Sequence, residues 1–250
     1  MNASTKIQED TPSFLQAHAR YIPFLMEVRR RVVLVVSVFL IGSAIGFIYY
    51  EPIIKIILTI FDFKGINIVF TSPFQFINLA FNTALLLGSI LVIPLLVFQI
   101  LLFIRPALTR QEYKLIVSLL PLSILLFIFG MVFGITIMRY MIVLFYEKSI
   151  QLQIGNFLDV SQFLSQVLIT GLLMGIGFQF PVFLTILLKI KIISYETLVK
   201  KRVFAYAISL LFAALLPPSD LISLFFLTLP LILLFELTLL LNRFILRNHV

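Results

Sequence analysis

Cysteine is absent from this 250-residue chain, which excludes disulfides and thiolate metal sites. Tryptophan is absent too, and histidine occurs only at His18 and His249, near opposite ends. That leaves no zinc cluster and no His-based triad. A phosphate loop of the GxxxxGK(S/T) kind is also missing, so nucleotide hydrolysis is not expected, and no metal or cofactor is implied. The first twenty residues mix Lys6 and Arg20 with Glu9 and Asp10 and hold no apolar core, so neither a secretory signal nor a transit peptide is expected there. Charge is the scarcest property: 12% of residues carry one, against about a quarter in soluble proteins.

What fills the chain instead is hydrocarbon, with 61% of residues hydrophobic. No water-soluble core hides that much Phe, Leu and Ile, and the class is an integral membrane protein. A helix needs about 20 apolar residues to cross a core of about 30 Å. Six stretches qualify or nearly so: 32–50, 76–104, 115–146, 160–188, 203–216 and 221–241. The expected fold is an all-α, six-span bundle forming a single membrane domain over 1–250. Pro94, Pro121 and Pro181 lie inside the longer stretches as bend points. The fifth stretch has only 14 residues and reaches about 21 Å, too short for an unperturbed bilayer. A short interfacial helix is expected around 52–61.

Fifteen of the nineteen Lys and Arg residues fall in 1–31, 105–114, 189–202 and 242–250. By the positive-inside rule both termini then face the cytosol, matrix or stroma. The same distribution explains the net charge of +8 through topology and anionic lipid, without nucleic acid. Small-residue spacing recurs at Gly42 and Gly46, Gly130 and Gly134, and Gly171 and Gly175, which favours close helix packing.

Polar residues at membrane depth are costly and therefore informative. Glu236 lies within the last stretch, where pairing with a base and a functional role weigh equally. Gln99, Gln166 and Gln179 are embedded amides suited to interhelical hydrogen bonds. Pro217, Pro218 and Asp220, in PPSD, form a tight hairpin with Asp220 or Ser219 capping the next helix. Glu27 precedes the first span, and Glu112 lies between the second and third. Both are acids among bases. Spacing alone favours local salt bridges, Glu27 with Arg31 and Glu112 with a neighbouring base, which are worth little when exposed. The alternative is a cationic ligand, for which a guanidinium fork fits best.

Several stretches, in order, resemble one family. They are FLMEVRRRV (24–32), TSPFQF (71–76), QILLFIRPALTRQE (99–112), LVKKR (198–202), LLPPSD (215–220) and LFEL (234–237). Together they resemble TatC, the large subunit of the twin-arginine protein translocase. The resemblance implies a concave, glove-shaped bundle with short fifth and sixth spans, and a receptor for folded precursors whose signal peptides carry paired arginines. It places signal-peptide binding at Glu27, Glu112, Arg29 and Phe103, with Arg29 and Arg31 holding the helix end at the headgroups. Gln179, Glu236 and Gln99 are expected as partner-binding or intramembrane polar positions. Implied partners are small single-span subunits, further copies of the chain and the bilayer, with energy from the proton gradient and no enzymatic reaction.

The chain departs from the family pattern at Phe24, where His is usual, at Val28, where Leu is usual, and at Gln179, which stands for Glu. An amide there keeps its hydrogen bonds but cannot titrate. These departures and the Phe/Ile/Leu-heavy composition favour an organellar member, mitochondrial inner membrane before thylakoid or bacterial inner membrane. Competing classes are a small-solute secondary transporter and a structural scaffold.

Overall fold

The computed structural model describes residues 13–61, 67–69, 72, 74–105, 109–152 and 157–247. Nine helices run through them: α1 (Ser13–Ile48), α2 (Tyr50–Phe61), α3 (Gln75–Ile104), α4 (Arg110–Gln151), α5 (Val160–Gly177), α6 (Phe180–Lys189), α7 (Tyr195–Lys200), α8 (Arg202–Ala214) and α9 (Leu221–Arg247). Five segments are long and apolar enough to span a bilayer, namely Leu25–Ile48, Gln75–Ile104, Val117–Gln151, Val160–Lys189 and Leu221–Arg243, with α8 as a shorter sixth. Each of the six expected stretches is helical over most of its length. Their bounds differ most in α1, which begins at Ser13 instead of residue 32. Apolar count marks the hydrocarbon, whereas the backbone stays helical through the charged FLMEVRRR segment. The expected interfacial segment is α2.

Proline acts differently at each site. Pro94 and Pro121 are accommodated inside α3 and α4, as is Pro230 in α9. Pro181 instead opens a new helix, where its missing N–H leaves no intrahelical bond unmade. The expected fourth span is therefore two helices, α5 and α6, broken at Phe178 and Gln179. Of the two spans expected to be short, only α8 is, with 13 residues; α9 has 27.

Two seams hold the bundle. On α1, an added Cβ at Gly42 would lie 3.1 Å from Gly88 Cα, and one at Gly46 would lie 3.0 Å from Ala84 Cα. On α4, Gly134 faces Gly171 Cα at 3.0 Å from such a Cβ, and Gly130 faces the Phe178 side chain at 2.7 Å. In lipid no hydrophobic effect drives helices together, so this close backbone approach supplies dispersion instead. Buried side chains then fill the gaps. Leu79, Phe163, Leu164 and Val167 pack with Ile57 and Phe61 of α2; Met174, Phe178, Leu216, Leu227 and Leu231 form a second cluster. Exposed Leu, Ile and Phe elsewhere face the solvent this chain is built for, the acyl chains.

A short strand pair was not expected from the residues alone. Asn67–Val69 (β1) pairs in parallel with Phe157–Asp159 (β2), joining two connections. Asp159 caps α5 by accepting from Gln162 N at 3.0 Å and also accepts from Gln75 Nε2 at 2.6 Å, while Ser161 Oγ donates to Gln75 O at 3.0 Å. The starts of α3 and α5 are clasped together there.

Gly88→Ala tests the first seam. Its Cβ would sit 2.2 Å from Ser43 Oγ and 2.8 Å from the Phe39 carbonyl oxygen, a backbone atom that cannot swing aside. Overpacking should cost about 1–3 kcal/mol, seen as a lowered thermal unfolding midpoint of the purified protein in detergent; an unchanged midpoint contradicts the seam.

Candidate functional site

Glu27 and Arg31 are one turn apart on α1, so their side chains share a face. The Glu27 carboxylate, 46% exposed, accepts from Arg31 Nη2 in a close ion pair. Arg31 itself is largely covered, with 20% of its side chain exposed. It reaches across the seam to α3, where Nη1 donates to the Gln99 carbonyl at 2.8 Å and to Gln99 Oε1 at 3.3 Å. Its guanidinium carbon lies 5.8 Å from the Phe103 ring centroid, a cation–π distance. Beneath this group an apolar cavity of about 270 Å³ opens between Val28, Val32 and Val35 of α1 and Leu96, Ile100 and Phe103 of α3.

The structure thus gathers Glu27, Gln99 and Phe103 around Arg31. Arg31, expected to hold the helix end at the lipid headgroups, ties α1 to α3, because Gln99 offers two acceptors within its reach. The i,i+4 spacing signalled its bond to Glu27; Gln99 was expected to bond between helices, but nothing in the sequence named Arg31 as its partner. Arg29 is exposed and lies about 200° around the helix from Glu27, joining none of these bonds.

Glu112 was expected in a loop and is helical, in the first turn of α4. Its side chain lies outside the described residues. Arg105, following α3, stacks its guanidinium 5.1 Å from the ring of Tyr113, the neighbour of Glu112. That contact places the start of α4 beside the end of α3, at the same end of the bundle as Glu27.

Of the expected intramembrane polar positions Gln99 lies in this site, while Gln179 and Glu236 lie elsewhere and are internally paired. Gln179, 1% exposed at the α5–α6 break, accepts from Ser123 Oγ at 2.5 Å and donates Nε2 to Ser123 O at 2.9 Å. Glu236 accepts from Tyr206 OH at 2.5 Å and lies 3.4 Å from Arg202 Nη1, so α9 is tied to α8. Asp220 caps α9, accepting from Ser223 N at 2.8 Å and Ser223 Oγ at 2.6 Å. The Pro217–Pro218 bond is cis, and Pro217 O accepts from Thr170 Oγ1 of α5 at 2.5 Å. Among the described residues no group of His, Asp or Glu is arranged to hold a metal ion.

A family model described as Sec-independent protein translocase protein (TatC) matches residues 23–230. The chain belongs to the TatC family. TatCy of Bacillus subtilis is 30% identical over 224 residues, covering 88% of this chain and 87% of that protein. TatC of Carboxydothermus hydrogenoformans is 30% identical over 243 residues, covering 95% and 96%. In three dimensions the chain is similar to a crystal structure of the twin-arginine translocase receptor TatC in DDM. There the TM-score is 0.77 and the identity 28%, over 87% of this chain and 98% of that one. A second TatC receptor structure superposes with a TM-score of 0.68. The six-span architecture read from hydropathy is therefore the TatC architecture, and the chain is a multi-pass membrane protein of that translocase family.

The TatC helix break offers a direct test. Gln179→Leu strands the buried Ser123 hydroxyl and should cost about 1–3 kcal/mol, measured by thermal unfolding in detergent. Adding Ser123→Ala should recover part of the loss, since removing both polar partners is far cheaper than removing one.

Proposed function

We propose that this chain is the receptor and core subunit of a twin-arginine translocase, and that Glu27 and Glu112 engage the paired arginines of precursor signal peptides. The observation carrying the site is that the half-exposed Glu27 carboxylate already holds a guanidinium. Family membership carries the role. Charge-assisted hydrogen bonds contribute about 1.5–3 kcal/mol each, and a carboxylate matched to a planar fork distinguishes arginine from lysine by geometry. Glu112, helical at the same end of the bundle, supplies the second acid in this reading; Phe103 and Arg29 complete the surface.

The basic segments support an orientation with both termini and this acidic pair on the cytosolic side. The relatives named above are bacterial, which supports a bacterial inner membrane over the organellar membrane expected from composition. Partners are the small single-span subunits and further copies of this chain, driven by the proton gradient, with no bond-making chemistry.

Photo-crosslinking from a signal peptide bearing Arg-Arg to the protein in membranes tests this. Wild type should crosslink close to residues 27 and 112. Glu27→Gln combined with Glu112→Gln should reduce the yield at least about tenfold, the loss expected for one charge-assisted bond, with the six-span topology unchanged by accessibility labelling. Undiminished crosslinking rejects the acids as the site.

A further inference from the structure

The carboxylate assigned to the guest already has a guanidinium on it, and that guanidinium belongs to the chain. We propose that Arg31 is a built-in competitor: it occupies Glu27 in the unliganded receptor, and a guest arginine binds by exchange with it. The inference rests on Glu27 being a signal-peptide contact, as proposed above.

The bonds define the exchange. Arg31 has two attachments of unequal strength. Towards α3 it is largely covered, and it donates Nη1 to both the carbonyl and the side-chain oxygen of Gln99, with its guanidinium beside Phe103. Towards Glu27 it offers only Nη2, to Oε1 of a carboxylate that is half open to the surroundings. Exposed i,i+4 pairs contribute little, whereas hydrogen bonds from a charged group in a covered setting contribute several times more. Arg31 therefore stays on α3 when challenged, and Glu27 is the partner that lets go. Its carboxylate turns from one Nη donor to a guest fork that offers two, while Arg31 keeps both of its Gln99 acceptors. The internal pair also keeps an acid from standing unpaired at a membrane edge between guests.

An alternative role for Arg31, orienting Glu27 for the guest, predicts the opposite sign. Competition means that removing Arg31 tightens binding; orientation means that it weakens binding. The measurement is the affinity of a fluorescent Arg-Arg signal peptide for the full chain in lipid nanodiscs. Arg31→Gln should bind roughly 2- to 10-fold more tightly than wild type, the range spanned by exposed and covered pairs. Arg31→Lys keeps a cation that still reaches Glu27 and should fall between the two. Arg30→Gln removes the same charge from an exposed neighbour that does not pair with Glu27, and should change affinity less than Arg31→Gln does. Equal tightening by Arg30→Gln shows a bulk charge effect and overturns the competitor, as does weaker or unchanged binding in Arg31→Gln. If instead Glu27→Gln leaves wild-type peptide affinity intact, the receptor site itself is misplaced. That outcome is read independently of the Arg31 variants.

Discussion

The antiparallel contact between α1 and α3 sets everything at the candidate site. Gly46 lies against Ala84 and Gly42 against Gly88. Each step back along α1 is matched by an equal step forward along α3. From Gly42 to Arg31 and from Gly88 to Gln99 the interval is the same, about three turns, and Arg31 does meet Gln99. One turn further, Glu27 stands level with Phe103. Backbones held this close have little freedom to slide, so glycines in the middle of the membrane fix which side chains meet at its edge. The α4–α5 seam behaves alike: Gly175 faces Phe127, and one turn beyond each, Gln179 meets Ser123.

This explains what the sequence made legible. Hydropathy marks hydrocarbon, and it placed all six spans because a lipid-facing helix has no polar face to confuse the pattern. Small-residue spacing located the α1–α3 seam from its α1 side and the α4–α5 seam from both sides, although Gly88, with no glycine four residues away, escaped. Short-range geometry was also readable: the Asp220 cap and the Glu27–Arg31 pair follow from spacing along one helix. Partners across helices were not. Ser123 with Gln179, Arg202 with Glu236 and Arg31 with Gln99 depend on the register of separate helices, which no local pattern encodes. The β1–β2 pair was missed for the same reason, since three-residue strands become recognisable only when they meet.

The intramembrane polar groups share one logic. Gln99, Gln179 and Glu236 each find a partner on another helix, and each pair sits where the backbone is interrupted or a charge would otherwise face lipid. Gln179 stands at the α5–α6 break, where Pro181 cannot donate and the local bonds tighten: Gln179 N donates to Ile176 O at 2.9 Å. Its amide offers both a donor and an acceptor to Ser123, which a carboxylate matches only when protonated. An amide at this position therefore needs no proton from elsewhere to hold α4 against the break.

The uneven depth of the bundle follows from the same accounting. Thr170, which bonds Pro217, lies ten residues into α5 from Val160, about 15 Å along its axis. The α8–α9 hairpin therefore ends well short of the level at which α5 begins, as a helix of only 13 residues requires. Irregular backbone at such depth survives only where its polar groups are satisfied by protein. Here Thr170 donates to the Pro217 carbonyl, Asp220 takes the Ser223 N–H, and the two prolines have no N–H to satisfy. The PPSD sequence is thus suited to a turn inside the membrane: half of its residues bring no donor, and the last of them caps the helix that follows.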